Sequence, residues 1–374
     1  MFKRNSTEFY SCSAFRNRNQ CSFYMKKSDH LKKLSSKKPE LAKQKPVLFI
    51  KNPKFFCHQC QTLDCKLCKG HKNHQNKETD PELLKRPSHL LKNLEDSKGQ
   101  AQFHFSEESL NVIVNLVCKT NPSLILFVGA PSVFEELRSR KNFVKSDLLV
   151  LDIDIRLGQF LSKEEFCHYN MFNHHFFDLE SLNTFKKAMS KHRSRSVMVI
   201  TDPPFGGRPE LISQTFQTIK QDFNCQDFHI VWIFPYFMEH KIKIACPKLE
   251  MSDYQVTYEK LGGYKEGQEG NRNLGSPVRI FTNLPLKQID LSHLSDQYRL
   301  CQTCQRFVAQ TNRHCHECQN CTAKNGGLYR HCHECSRCVK FSWNHCFECG
   351  RCALQDHPCQ LFKEKRLKNG SKNK

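Results

Sequence analysis

The sequence predicts an α/β fold with a parallel central sheet and flanking small zinc-binding modules. Between residues 100 and 290, β-prone apolar runs alternate with helix-like patterns, as expected when helices connect the strands of a parallel sheet. Of the 22 Cys, 12 lie between Cys301 and Cys359, mostly as Cys-x-x-Cys pairs beside His. A chain of 374 residues is long enough to contain both parts.

The composition predicts an anionic partner and a reducing compartment. Lys and Arg total 58 against 37 Asp and Glu, and the resulting net charge of +21 points first to nucleic acid. A basic, solvated surface without a partner is the alternative. The sequence has no run of about 18 apolar residues, so it predicts no membrane span. Residues 1–6 lack the apolar core of a signal peptide. We therefore expect the Cys to bind metal rather than form disulfides.

A helix start and seven strands can be placed in the middle region. Ser106, followed by two Glu, is typical of a helix N-cap ahead of an amphipathic helix. The predicted strands are 124–128, 147–154, one ending at 170–173, 197–202, 229–235, 255–258 and 278–282, with the last two pairing. Seven strands in this order are typical of a Rossmann-like class I S-adenosylmethionine-dependent methyltransferase, whose ligands bind at the carboxyl ends of the strands.

The most informative motif, Thr-Asp-Pro-Pro-Phe-Gly-Gly, ends the fourth strand. The Asp202 carboxylate and the Pro203 carbonyl can both accept hydrogen bonds from an exocyclic amine. Pro204 has no N–H to compete and fixes the backbone, and the Phe205 ring offers a face on which a base can stack. The plain structural alternative is an Asp-Pro turn with a core Phe. The full motif after a buried strand favours an adenine-type acceptor pocket.

Three other strand ends have the chemistry that a methyl-donor pocket requires. Strand one ends in a tight turn at Gly129, where backbone can approach the donor. Strand two ends in Asp152 and Asp154, either of which can bind ribose hydroxyls, and we expect only one to face the pocket because they alternate along the strand. A solvated strand-end acid is the alternative for each. The end of strand three can hold the adenine ring.

The C-terminal Cys and His residues form an interleaved repeat. Three copies of His-Cys-x-x-Cys-x-x-Cys begin at His314, His331 and His345, and a shorter ending follows at His357. One arrangement places every Cys of this region in one of four sets. Each set has three thiolates and one imidazole, which suits a closed tetrahedral zinc site. The sets are Cys301, Cys304, His314 and Cys321; Cys315, Cys318, His331 and Cys338; Cys332, Cys335, His345 and Cys352; and Cys346, Cys349, His357 and Cys359. His316 and His333 are spare, and either could substitute.

Nearer the N-terminus, a second Cys/His cluster predicts another zinc site. We favour a Cys2His2 set of Cys57, Cys60, His71 and His74. The pair Cys65 and Cys68 competes for the same metal. Cys12 and Cys21 have the spacing of half a zinc site.

Together these residues resemble a specific family, the zinc-finger CCHC-domain-containing adenosine-N6 methyltransferases that modify large-subunit (28S) ribosomal RNA. The resemblance runs from Phe9 to Cys359 and includes FYSCSAFRNRNQCSF, LLVLDIDIRLGQF, YNMFNHHFF, TDPPFGG, WIFPYF and SPVRIFTN. It implies an S-adenosylmethionine-dependent enzyme acting on an adenine amine in RNA, with several structural zinc ions. From the inferred rRNA substrate and the basic runs we expect the protein in the nucleus and nucleolus, with a cytoplasmic pool. We also expect a monomer and a part in translation regulation.

The resemblance also assigns site residues and regions. The donor-binding residues that it implies are Gln102, Phe103, His104, Phe105, Ser132, Asp154, Phe172, Asn173 and Asp202, and Ser132 stands where the family has Arg. The regions are a partial GRF-type finger (1–28), a basic linker (29–54), a C2H2-like finger (55–78), the methyltransferase domain (98–292), an interleaved CCHC-type domain (298–360) and a basic tail (361–374). Met25 replaces the usual Trp of the GRF-type finger, and we expect this half finger not to close on zinc.

The expected mechanism is positional. The target adenosine flips into the strand-four pocket, where Asp202 and the Pro203 carbonyl orient the N6 amine and Phe205 stacks on the base. The alternatives are a non-catalytic zinc-finger RNA-binding protein with a vestigial methyltransferase fold and a DNA adenine methyltransferase. A palmitoyl-transferase-like protein is excluded, because no span is predicted and the chain has Asp-His-Pro-Cys at 356–359 instead of Asp-His-His-Cys.

Overall fold

The computed structural model describes most of the chain. The described residues are 2–4, 7–12, 23–29, 49–64, 78–92, 104–140, 145–225, 227–259, 276–324 and 326–359. Seven residues singled out from the sequence lie outside these ranges: Cys21, Cys65, Cys68, His71, His74, Gln102 and Phe103. None of the described helices is both long and apolar enough to cross a membrane.

The described strands fall into one large sheet and several small ones. Those before the large sheet are β1 (Phe2–Arg4), β2 (Thr7–Ser11), β3 (Tyr24–Lys26), β4 (Phe56–Cys57) and β5 (Thr62–Leu63). The large sheet contains β6 (Leu124–Val128), β7 (Asp147–Asp152), β8 (Phe166–Asn170), β9 (His175–Phe176), β10 (Val197–Thr201), β11 (Phe228–Pro235), β12 (Glu250–Met251) and β13 (Val278–Thr282). The C-terminal strands are β14 (Tyr298–Cys301), β15 (Arg306–Ala309), β16 (His314–Cys315), β17 (Asn320–Cys321), β18 (Tyr329–Cys332), β19 (Arg337–Lys340), β20 (Asn344–Cys346) and β21 (Arg351–Ala353).

Helices connect the strands of the large sheet. The α-helices are α1 (Pro81–Leu84), α2 (Pro87–Leu90), α3 (Glu107–Thr120), α4 (Pro131–Ser139), α5 (Leu179–Lys191), α6 (Pro209–Asp222) and α7 (Glu239–Ala245). Short 3-10 helices span Ile155–Gln159, Tyr236–Met238, Leu286–Gln288 and Ser292–Leu294. The predicted cap is confirmed, because the Ser106 side chain accepts a hydrogen bond from the backbone N–H of Ser109 at the start of α3.

The large sheet has the strand order β12-β13-β11-β10-β6-β7-β8-β9. Strand β10 runs parallel to both β6 and β11, and β7 and β8 continue parallel on the far side of β6. Strand β13 is antiparallel to β11. The order therefore reverses between β6 and β10, and such a switch point leaves a crevice at the carboxyl ends of the two strands. This topology confirms the predicted Rossmann-like class I methyltransferase fold.

The sheet is buried on both faces, which explains its continuous apolar runs. In β6, Ile125 and Phe127 belong to one core cluster, whereas Leu124, Leu126 and Val128 belong to the other. The helices α3 and α4 pack in the first cluster, and α5 and α6 pack in the second. Each fully buried side chain of this kind contributes roughly 1.5–3 kcal/mol, so the two cores hold the crevice rigidly.

Two strand predictions need correction. Residues 255–258 do not form a strand of the large sheet: β12 ends at Met251, and Val256 gives a single backbone hydrogen bond to the Val278 carbonyl. The second strand ends at Asp152, so Asp154 lies beyond it at the start of a 3-10 helix. The two acids therefore do not alternate along one strand, and both are buried. That only one of them faces the pocket stays a prediction.

The C-terminal region consists of four two-stranded hairpins, β14–β15, β16–β17, β18–β19 and β20–β21. A Cys-x-x-Cys turn connects the two strands of each hairpin. Four residues after its first Cys, each turn has a left-handed residue: Gln305, Gln319, Ser336 and Gly350, with φ between 46° and 64°. The sequence repeat is thus a repeat of backbone conformation.

Candidate active site and metal centres

Asp202 lies at the switch point of the sheet. It directly follows β10, and the Thr201 hydroxyl before it donates a hydrogen bond to the Val128 carbonyl at the end of β6, over 2.8 Å. Thr201 is fully buried, so this bond satisfies its hydroxyl and fixes the two strand ends relative to each other. The sheet therefore presents Asp202 to the crevice from a rigid base.

The Asp202 carboxyl group has one neighbour that the sequence did not reveal. The hydroxyl of Tyr258 lies 3.2 Å from each of its two oxygens and donates a hydrogen bond to the carboxyl group. Burial raises the pKa of Asp202 to about 8, and the bond from Tyr258 opposes that rise. Burial and the adjacent carboxyl also raise the pKa of Tyr258 well above its usual value, so this hydroxyl remains a donor at neutral pH.

Aromatic rings surround the acceptor motif. Phe205 packs edge-on against Phe234 at 6.1 Å and against Tyr258 at 6.4 Å between ring centroids. Tyr258 in turn stacks on Phe105 at 4.9 Å. These rings form an apolar wall beside the Asp202 carboxyl, with a geometry suited to a planar base.

Two glycines allow close approach around Asp202. Gly129 has φ +65°, and a Cβ there would lie 2.5 Å from Met171 Cε and 3.7 Å from the Asp202 carbonyl oxygen. A Cβ on Gly207 would lie 2.9 Å from both the Phe172 ring and the Pro204 carbonyl oxygen. The structure thus brings Gly129, Phe172 and the acceptor motif together, as the order of the strand ends predicts.

The two acids at the end of the second strand differ in their partners. Asp154 caps the following 3-10 helix and pairs with Arg156, whose Nη2 lies 2.6 Å from Asp154 Oδ2. Asp152 Oδ1 accepts the backbone N–H of Asp154 at 2.8 Å, and burial raises the pKa of Asp152 to about 7. Both carboxyl groups are thus buried near the end of β7, and Asp154 shares its oxygens with Arg156. The assignment of Asp154 to ribose remains a prediction.

The remaining predicted donor residues occupy separate positions. His104 is buried and stacks on His89 at 4.6 Å, and burial, followed by His89, lowers its pKa. Its Nδ1 has no hydrogen-bond partner among the described residues. Ser132 is half-buried in the first turn of α4, and Asn173 is exposed in the turn after β8.

These features fit a nucleoside methyl donor such as S-adenosylmethionine. The end of β6 offers the backbone turn at Gly129, the end of β7 is followed by two buried carboxyl groups, and His104 has a buried nitrogen without a partner among the described residues. Such groups are suited to the hydroxyl and amino groups of a nucleoside. Sequence reasoning missed Tyr258 because it stands in no short motif, and it gave Thr201 no role although this residue opens the acceptor motif.

The C-terminal hairpins bring together all four predicted Cys/His sets. In each set the four ligand atoms lie within 4.8 Å of one another. The sulfur pairs Cys304–Cys321, Cys318–Cys338, Cys335–Cys352 and Cys346–Cys359 are 3.6–3.8 Å apart. These separations are far longer than a disulfide bond and match the edge of about 3.8 Å expected of a tetrahedron with Zn–S bonds of about 2.3 Å. The donor sets therefore fit structural zinc.

Outer contacts orient two of the imidazole ligands, His331 and His357, whereas Nε2 of His314 has no partner among the described residues. His314, His331 and His345 turn Nδ1 towards the thiols, whereas His357 turns Nε2. The other nitrogen of His331 meets Glu317 at 2.8 Å, which is the usual way that a carboxylate orients a zinc-binding imidazole. The spare His333 lies 3.3 Å from the same carboxylate, outside all four sets.

The Cys57-x-x-Cys60 turn has the same backbone geometry as the C-terminal turns. Gln61, four residues after the first Cys, has φ 55°, and the Cys60 N–H lies 3.4 Å from Cys57 Sγ. The equivalent separation between Cys318 and Cys315 is also 3.4 Å. These two thiols are thus arranged as half of a zinc site. Cys12 follows β2 and is half-buried, and its predicted partner lies outside the described residues.

The fold and the crevice together define a class I N6-adenine methyltransferase with appended metal-binding hairpins. The family model for "probable N6-adenine methyltransferase" matches residues 96–274. The chain is 39% identical over 342 residues to rRNA N(6)-adenosine-methyltransferase ZCCHC4 of Mus musculus, covering 84% of this chain and 66% of that protein. It is 38% identical over 390 residues to the Homo sapiens protein of the same name, covering 96% and 75%.

The Xenopus tropicalis protein of that name is 37% identical over 343 residues, with 84% of this chain and 69% of that protein covered. The chain belongs to this family of rRNA N6-adenosine-methyltransferases. It spans about two thirds to three quarters of the length of the relatives it matches.

Proposed function

We propose that this chain transfers a methyl group from S-adenosylmethionine to N6 of an adenosine in large-subunit (28S) ribosomal RNA. The observation that carries the proposal is the intact Asp-Pro-Pro-Phe motif at the switch point of a methyltransferase sheet, in a chain related to enzymes named for this reaction. A vestigial fold would not require a carboxyl group with a raised pKa that accepts a hydrogen bond from Tyr258 at the end of β10.

The roles of the chain's own residues follow from their positions. Asp202 and the Pro203 carbonyl accept hydrogen bonds from the N6 amine and orient its lone pair. Phe205 and Tyr258 provide the aromatic wall against which the base stacks. Bound S-adenosylmethionine supplies an electrophilic methyl group. No strong base is required, because the amine loses its proton only after the new bond has formed, so positioning supplies most of the acceleration.

The donor side is assigned to the opposite half of the crevice. Gly129 allows backbone to approach the donor, Asp154 together with Asp152 provides carboxyl groups for ribose, and Phe172 provides a ring for the adenine. His104 offers its unpartnered nitrogen. Zinc in the four Cys/His sets would hold the C-terminal hairpins in shape, since such short strands have too little core of their own.

The substrate assignment rests on charge as well as kinship. The net charge of +21 favours binding to the phosphates of RNA. An adenosine whose N6 amine lies inside a base pair must be flipped out before it can enter this crevice. We further propose that the chain acts as a monomer in the nucleus and nucleolus, where ribosomal RNA is assembled, with a cytoplasmic pool. An effect on translation would follow from the modified ribosome.

The test offers the purified chain three substrates together with S-adenosylmethionine bearing a labelled methyl group. The substrates are large-subunit rRNA, small-subunit rRNA and a DNA duplex, each digested to nucleosides after reaction. We expect label in N6-methyladenosine from large-subunit rRNA. Preferential labelling of DNA would favour a DNA adenine methyltransferase. RNA binding without label would favour a non-catalytic RNA-binding protein.

A further inference from the structure

Tyr258 lies on a segment that the large sheet holds from one side only. Residues 251–259, here called the wall segment, begin at the last residue of β12. On the inner side, Ser252 and Val256 donate backbone hydrogen bonds to the Ile280 and Val278 carbonyls of β13. The end of the segment pairs with residues 104–106 through bonds of 3.0 Å and 2.7 Å. These contacts position the segment but leave alternate residues facing away from the sheet.

The first Cys/His hairpin holds the outer side. Here the first zinc module means residues 298–323, which include Cys301, Cys304, His314 and Cys321. Three alternate residues of the wall segment bind it: the Met251 carbonyl accepts from Arg306, Asp253 accepts from Asn312, and the Gln255 N–H donates to the Tyr298 hydroxyl. The module thus holds the wall segment by hydrogen bonds on the side that faces away from β13.

Asp253 and Asn312 form the centre of this contact. Asp253 Oδ2 accepts from the Ala309 N–H at 2.9 Å and from Asn312 Nδ2 at 2.7 Å. Asn312 is fully buried, and its side chain also bridges both backbone groups of Ala323 at 3.1 Å. Every polar group of the Asn312 side chain is therefore engaged, and removing it would leave buried partners unsatisfied.

The same contact is tied to the metal ligands. Asn312 stands two residues before His314, and Ala323 stands two residues after Cys321. Arg306 donates to the Cys321 carbonyl at 2.9 Å while it also reaches the Met251 carbonyl at 3.4 Å. The positions of two ligands are thereby coupled to the wall segment through short, mostly buried paths.

From these contacts we propose that the first zinc module contributes to methyl transfer, because Asn312 and Asp253 hold Tyr258 in position beside Asp202. The proposal rests on the proposed function. It concerns the first Cys/His set, Cys301, Cys304, His314 and Cys321, and assigns no such role to the other three sets. Asn312 and Asp253 are positioning residues that act through Tyr258 and touch neither substrate.

The test compares Asn312→Ala with Asn283→Ala in the full chain. Asn283 also bridges two backbone groups, Ile230 N and the Phe228 carbonyl, but at the amino end of β11, away from Asp202. We expect Asn312→Ala to lower kcat at least about tenfold at saturating RNA and donor, while the Kd for RNA changes less than about threefold. Hydrogen exchange in residues 251–259 should become faster. Asn283→Ala should leave kcat and the exchange rate of residues 251–259 unchanged.

Two further variants test the path itself. Asp253→Asn keeps the side-chain shape and an acceptor oxygen, so this variant should retain most of the kcat that Asn312→Ala loses. In a Tyr258→Phe background, Asn312→Ala should cost less than in the unmodified chain, because both changes act on one interaction. Equal cost in the two backgrounds, or a loss explained wholly by weaker RNA binding, would overturn the proposal.

The hydrogen-exchange comparison also separates this proposal from the proposed function. A chain that transfers no methyl group to RNA but shows faster exchange in residues 251–259 on Asn312→Ala would refute the function alone. Methyl transfer with unchanged exchange and unchanged kcat in that variant would refute the coupling alone.

Discussion

Asp202→Asn should stabilise the protein while it abolishes methyl transfer. An unfolded Asp ionises near pH 3.8, whereas burial raises the folded pKa of Asp202 to about 8. At pH 7 the folded chain must therefore retain a proton that the unfolded chain has lost. At about 1.36 kcal/mol for each pH unit between 3.8 and 7, the cost is slightly more than about 4 kcal/mol. Asp202 keeps some contact with solvent, so we expect an observed gain of roughly 1–3 kcal/mol for the neutral, isosteric Asn.

The sign of this effect gives a pH signature. A raised folded pKa costs nothing below about pH 3.8, and the cost grows as the pH rises towards 8. The stability difference between Asp202→Asn and the unmodified chain should therefore widen from pH 6 to pH 8 in urea unfolding at constant zinc. The exposed Asp296→Asn serves as a control and should show no such trend. A variant that is no more stable than the unmodified chain at pH 8 would refute the reasoning.

Further predictions concern the wall, the glycines and the zinc. Tyr258→Phe removes the bond that opposes the raised pKa of Asp202, so the acid limb of the kcat/KM profile should move to higher pH; an unmoved limb would contradict this. Gly129→Ala would bring a Cβ to 2.5 Å from Met171 Cε at φ +65°, so donor affinity by calorimetry should fall at least about tenfold, and unchanged affinity would exclude the crowding argument. Native mass spectrometry should find at least four zinc ions per chain, and chelation should unfold β14–β21; a metal-free chain with intact hairpins would argue against structural zinc.

The strands and the zinc sets could be predicted because their signals are local. A strand buried on both faces must be apolar throughout, and β6 and β10 show such runs. The Cys/His pairing followed from equal spacing between repeats, and the repeated left-handed residue at Gln305 and its equivalents gives that spacing a structural cause.

The wall of the active site could not be predicted in this way. Tyr258 lies 56 residues from Asp202 and meets it only because the wall segment packs between β13 and the first zinc module. Residues 255–258 have the composition of a strand, but tertiary contacts divide their backbone hydrogen bonds among three partners. Val256 bonds to Val278 of β13, Gln255 to the Tyr298 hydroxyl, and Thr257 to Ser106. The pairing of Asp154 with Arg156 was missed because strand two was extended past its true end.

The most direct test of the central claim is the amount of N6-methyladenosine formed in large-subunit rRNA by the unmodified chain and by Asp202→Ala. Zinc content and RNA affinity would be measured on the same samples. We expect stoichiometric transfer by the unmodified chain and none above background by the variant, with zinc and RNA affinity nearly equal. Retained methylation in Asp202→Ala would contradict the role of this carboxyl group and the acceptor site built around it.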